Sequence, residues 1–173
     1  MMVWKYLGAA RPPFAQAPGP DQESVWDYPR PPAIEADPRR VLVRSGGVLL
    51  ADTPRALRVL ETASPPTFYL PPEDVRREWL IQSSQRSWCE WKSEAVYFDV
   101  KTPGSDIVSA GWSYLDPRGD FAALAGFFSF YPGKLECYVD DERVRPQAGG
   151  FYGGWLTSEI VGPVKGEQGT GGW

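Results

Sequence analysis

Cys89, Lys92 and Glu94 stand close together in the stretch SWCEWKSEAVYF, and they are the residue types from which a thiol nucleophile is built. A thiolate attacks where a thiol does not, and a cation nearby, Lys92 or Arg86, would draw the thiol pKa down from its usual ~8.5. The chain has no histidine, so the proton would have to pass to Lys92 or to a carboxylate such as Glu94. A lysine accepts a proton near neutrality only when burial lowers its pKa, and losing its charge ends its pull on the thiol. That conflict weighs against a nucleophile. The competing role is packing: free cysteine behaves as a small apolar residue, and Cys89 lies between Trp88 and Trp91. Cys137, on an alternating run, reads as packing as well.

The aromatic residues offer different chemistry. Trp88, Trp91, Tyr97, Trp112, Tyr114 and Tyr131 fall on runs expected to be strands. Rings brought together on one sheet, with an arginine or lysine at the mouth, would make a pocket for a planar or cationic small molecule. The same rings could simply be the core of a small β domain.

The elements that must position these residues are short. Eighteen prolines and eighteen glycines in 173 residues favour strands and turns over long helices. Residues 1–36 hold RPPFAQAPGP and WDYPRPPAIEADP and read as an extended arm that cannot supply regular helix or central strand. VLVR and VLLADT, split by Ser45-Gly46-Gly47, read as a hairpin. TPRALRVLET reads as a short helix capped by Thr53-Pro54 or as an irregular strand. PPTFYLP is a strand, and PPEDVRREWLI is one helical turn or two. EAVYFDVKT alternates as a half-buried strand, with DIVSAGWSYLDP as its neighbour. DFAALAGFFSFYP reads as a short helix with an aspartate N-cap that runs into a strand. KLECYVDDERV alternates with Leu135, Cys137 and Val139 on one side. Residues 146–173 form a glycine-rich arm whose Trp155 and Trp173 would anchor on the domain, and GPVKGEQGTGG lacks the spacing of a phosphate-binding loop.

Composition excludes several classes. The net charge is −4 and the arginines are scattered, so no nucleic-acid partner is expected. No run approaches the ~18 apolar residues of a membrane span, and the first residues do not resemble a signal peptide, so the expectation is a cytoplasmic protein with no membrane partner. With two cysteines, no CxxC and no histidine, no metal and no cofactor is expected. In the cytosol Cys89 and Cys137 would be reduced thiols rather than a disulfide.

The order RRVLVRSGGVLLADTPRALRVLETASPPTFYLPPEDV, SWCEWKSEAVYFDV, AGWSYLDP, AGFFSFYP resembles the family called domain of unknown function 427, sometimes labelled nucleotidyltransferase-like. The resemblance covers roughly residues 37–145. The proline arm and the tail GGFYGGW…GTGGW resemble the longer form found in cyanobacteria. The resemblance implies a mainly β, compact antiparallel domain similar to the β-tent fold of B-type methionine-sulfoxide reductases and of cereblon's ligand domain, with one or two short helices. Tent relatives hold zinc through paired CxxC motifs that this chain lacks, so neither zinc nor reductase chemistry carries over. Arg55, Tyr69 and Arg86 match the family's recurring positions and join Trp91, Tyr97, Trp112, Tyr114 and Tyr131 as candidate ligand contacts.

The expected organisation is therefore an arm at 1–36, a β domain at 37–145 and a second arm at 146–173. The expected role is a small-molecule binding module with an aromatic-lined pocket. The alternatives are an enzyme using Cys89 with Lys92 and Glu94, a nucleotidyltransferase as the family label suggests, or a structural homodimer in which the arms wrap a second subunit.

Overall fold

Two glycines set the first hairpin. Gly46 and Gly47 both have positive φ, +54° and +81°, as the tight two-residue turn between antiparallel strands requires. The computed structural model describes residues 3–173; Met1 and Met2, at the start of the proline-rich arm, lie outside the described residues. In chain order the strands are β1 (Glu23–Ser24), β2 (Ala33–Asp37), β3 (Val41–Ser45), β4 (Val48–Thr53), β5 (Ala56–Leu60) and β6 (Thr67–Tyr69). There follow β7 (Leu80–Cys89), β8 (Ser93–Thr102), β9 (Ser105–Tyr114), β10 (Phe128–Phe130) and β11 (Glu136–Val139). The tail adds β12 (Glu142–Arg143), β13 (Arg145–Pro146), β14 (Trp155–Leu156) and β15 (Ile160–Val161). Helical residues are confined to 3-10 turns, of which Gly119–Leu124 is the longest.

The protein is mainly β and built of several antiparallel sheets. One sheet runs β10-β9-β8-β7, a second β12-β11-β3-β4 and a third β2-β5-β6. β9 is the neighbour of β8, with Tyr97 opposite Trp112 and Ala95 opposite Tyr114. Leu135, Cys137 and Val139 are buried on one side of their run, as alternation predicts.

Several local expectations are corrected. TPRALRVLET is not a helix: β5 is the central strand of its sheet, and the pairing it gains on both edges overrides local propensity. Thr53 caps no helix; its hydroxyl accepts from the Arg55 backbone N–H at 3.0 Å and donates to Asp74 at 2.7 Å. Asp120 is not an N-cap either, since Arg118 occupies that position with no side-chain bond. EAVYFDVKT is a strand as expected, but its buried residues Ala95, Val96, Tyr97 and Val100 fall on both faces rather than one. The cause is a layer on each face: Phe98 and Val100 pack into a core of Val41, Val43, Leu50, Phe130 and Cys137, whereas Tyr97 joins a separate aromatic cluster.

Both terminal segments fold back on the same chain. β1 pairs in parallel with β15, so the proline-rich and glycine-rich segments hydrogen-bond each other. Trp26 is buried and donates its indole N–H to the Pro163 carbonyl at 3.0 Å. β2 lies at a sheet edge, where the preceding Pro31 and Pro32 cost no ladder bonds. Trp155 is fully buried and donates to the Phe130 carbonyl at 3.0 Å. No helix among the described residues is long and apolar enough to cross a membrane.

Buried charge fastens the edge strand. Arg58 on β5 is 5% exposed and is paired with Glu23, Glu35 and Asp37. Burial by itself would raise the Asp37 carboxyl, but hydrogen bonds from Arg39 and the charges of Arg39 and Arg58 outweigh it and hold Asp37 below the usual carboxylate range. A carboxyl with a lowered folded pKa contributes stability that is present above its unfolded pKa of ~3.9 and is lost as pH falls through the folded value. Asp37→Asn should therefore cost about 1.5–3 kcal/mol at pH 7 and progressively less below about pH 4. Urea unfolding of both proteins at the two pH values measures this, and an equal gap at both would contradict it.

Candidate functional site

The stretch SWCEWKSEAVYF is a hairpin, with β7 ending at Cys89, a turn at residues 90–92 and β8 starting at Ser93. Ser93 sits at φ +71°, and its hydroxyl donates to the Asp116 carbonyl at 3.0 Å, which ties the turn to the end of β9. Alternation then does the positioning. Tyr97 on β8 and Trp112 and Tyr114 on β9 lie on the same face, where Tyr69 from β6 meets them. The Trp112 indole N–H donates to the Tyr69 hydroxyl at 3.3 Å, and the Trp112 and Tyr131 rings stand 4.6 Å apart. Between these rings and the hairpin turn lies a cavity of about 330 Å³.

Most of the candidate residues meet at this cavity. Tyr69, Trp91, Tyr97, Trp112, Tyr114 and Tyr131 all line it, as do Cys89 and Lys92. Three do not. Arg55 is drawn to Asp74 at 3.0 Å on the far end of β5. Arg86 is exposed and curls onto the carbonyls of Ser83 and Gln85, at 2.9 and 2.7 Å. Glu94 is exposed opposite Trp88, because its strand parity turns it away from Tyr97. The cation at the cavity is thus a lysine, not an arginine.

Sequence reasoning missed the contribution of the two terminal segments. Trp4 lines the cavity and donates its indole N–H to Glu90 at 2.7 Å, across 86 residues of chain. Gln147, Phe151, Tyr152, Gly153 and Lys165 come from the tail. Lys165 Nζ lies 4.1 Å from the centre of the Trp4 ring, and the Arg30 guanidinium lies 4.2 Å from the same ring. Glu61, also at the cavity, is held by Arg30 at 3.2 Å. The signal available in the sequence was the clustering of tryptophan and tyrosine in the terminal segments.

Electrostatics separate the two roles offered for Cys89. Lys92 is 7% exposed, with its ammonium 5.6 Å from the Tyr114 ring centre. Burial opposes its charge, but the acidic groups of Tyr69, Cys89 and Glu61 outweigh burial and hold its pKa above the ordinary lysine value. Lys92 is therefore a cation at neutral pH and takes no proton from a thiol. Burial pushes the phenols of Tyr69 and Tyr114 upward, so both are neutral donors. Glu94 lies outside the cavity, so Cys89 and Lys92 stand together there without the carboxylate offered as their base. Among the described residues no group of three His, Cys, Asp or Glu gathers as metal ligands would.

These observations define a mainly antiparallel β protein with an aromatic-walled cavity and a buried lysine at its wall. The model of the family described as Domain of unknown function (DUF427) matches residues 33–141, and the chain belongs to that family. No curated protein matches the chain.

Two outcomes follow from this geometry. Cys89 is half-buried at the cavity, whereas Cys137 is fully buried and its thiol pKa is pushed far up by burial. Iodoacetamide should therefore modify one thiol of the native protein, absent in Cys89→Ser, and should reach Cys137 only in denaturant. Reaction of Cys137 at the same native rate would contradict the packing described. At Gly153 an added Cβ would lie 2.1 Å from Trp112 Cη2. Gly153→Ala should thus cost about 1–3 kcal/mol and change the tryptophan fluorescence, as Trp112 or the tail gives way.

Proposed function

We propose that this protein is a small-molecule binding module whose ligand occupies the cavity walled by Tyr69, Trp91, Tyr97, Trp112, Tyr114 and Tyr131. The observation that carries the reading is the size of the space left between these rings, about 330 Å³. The space is a cleft open to solvent on one side, and its wall is the exposed margin of the packed cluster of Tyr69, Tyr97, Trp112 and Tyr114. A space of this size falls within the range of ligand sites, which are apolar with a few fixed polar groups. Here those groups are the phenols of Tyr69 and Tyr114 and the ammonium of Lys92. A wall made so largely of aromatic rings suits a flat body that can stack on one of them.

The nucleophile reading has less support, because neither base offered for Cys89 serves: Lys92 keeps its proton and Glu94 lies outside the cavity. A screen of planar metabolites by thermal shift tests the binding reading. A ligand at a hundred times its dissociation constant adds ~2.7 kcal/mol, or about 5–10 °C for a domain of this size. The shift should vanish in Trp112→Ala. A broad screen without any shift would count against a ligand site.

A further inference from the structure

The cavity holds cations that the protein itself leaves without counter-ions. Lys92 and Lys165 are 7% and 5% exposed, and both line the cavity. Among the described residues, no carboxylate lies within ion-pair distance of either ammonium. Their neighbours are ring faces instead: Tyr114 and Phe121 for Lys92, Trp4 and Tyr152 for Lys165. The two carboxylates at the cavity are otherwise engaged, Glu61 with Arg30 and the exposed Glu90 with the Trp4 indole. The buried arginines, by contrast, have carboxylates beside them, Glu23, Glu35 and Asp37 around Arg58 and Glu61 beside Arg30. Among the described residues Lys92 and Lys165 have no such carboxylate, although Lys92 has the Cys89 thiol beside it. A third group joins them. The Trp91 indole N–H, next to Lys92 in the hairpin turn and also at the cavity, is buried with no acceptor.

Buried donors without acceptors cost free energy, and a buried charge without a partner costs more. An incoming anion would relieve both at once. The geometry points to a ligand with a planar apolar body and an anionic group, carboxylate or phosphate, the anion accepting from Lys92 and from the Trp91 indole N–H while the body stacks among Tyr97, Trp112 and Tyr131. This inference rests on the binding reading above and adds the sign of the ligand's charge. It turns away from a cationic guest, which aromatic walls alone would favour, because a buried ammonium repels one.

A matched series on the full chain tests it by calorimetric titration: 2-naphthoate and 2-naphthyl phosphate as anions, 2-naphthamide as the neutral isostere and 2-naphthylmethylammonium as the cation. The expected result is that at least one anion binds on the order of tenfold more tightly than the amide, with the ammonium weakest, as charge-assisted bonds to a half-enclosed ammonium require. In Lys92→Met the ratio of anion to amide affinity should collapse toward one. Trp91→Phe, which keeps the ring and removes the N–H, should reduce it in part. Carboxylate and phosphate arms distinguish the two headgroups. If the amide or the ammonium binds as tightly as the anions, the inference fails while the ligand cavity stands. If no member of the series binds, the inference and the binding reading fall together.

Discussion

A guanidinium keeps its proton at any pH a protein survives, so an arginine that folding buries must be surrounded by acceptors. Arg30 is 8% exposed, and its acceptors come from distant parts of the chain: the Tyr6 carbonyl at 2.8 Å, the Trp173 main-chain oxygen at 2.9 Å, the Thr62 carbonyl at 2.8 Å and the Glu61 carboxylate at 3.2 Å. Both terminal segments and the end of β5 therefore converge on one charge. The cavity depends on that convergence. Trp4 rests on the Arg30 guanidinium, and the same bonds hold the carboxylate of Glu61 at the cavity wall and away from Lys92. Removing one acceptor from such a set leaves a buried charge short of a partner, which costs more than any single bond contributes.

Arg58 plays the corresponding role at the edge of the smallest of the three main sheets. Its partners Glu23 and Glu35 belong to the proline-rich segment and Asp37 ends the strand β2 that this segment enters. Trp26, Tyr28 and Ile160 then form a third apolar cluster between the two terminal segments. The segments are held by ion pairs at fixed points and by aromatic packing between them. Most of their prolines sit outside the ladders, and Pro146 lies at the end of the two-residue strand β13.

The cavity itself follows from strand parity and one turn. Tyr97, Trp112 and Tyr114 share a face because side chains alternate along a strand, and register brings Tyr97 opposite Trp112. The turn at residues 90–92 then swings Trp91 and Lys92 over the same face, which no strand position could do. Packing on both sides of β8 separates the aromatic cluster from the aliphatic core, so the rings are left facing a space instead of filling one.

Much of this was legible in the sequence, for identifiable reasons. Alternation of apolar residues gave β8, β9 and β11, paired glycines gave the β3–β4 turn, and the ordered motifs gave the family. Tyr97, Trp112 and Tyr114 were readable as cavity residues because period-two spacing assigns a face without knowledge of the partner strand, whereas Trp91 and Lys92 reach it from a turn. Other features lay beyond any local pattern. Whether TPRALRVLET was helix or strand depended on β2 and β6 pairing with it from either side. Arg55 left the site because Asp74 was available to it, and Glu94 because its parity faces solvent. Trp4, Gly153 and Lys165 entered because a buried guanidinium draws both ends of the chain to one point. The sequence by itself determined the element types, the family and which rings share a face, since these follow from spacing along the chain. Only the tertiary structure decided which charges are paired and which are left at the cavity, because that depends on acceptors tens of residues away.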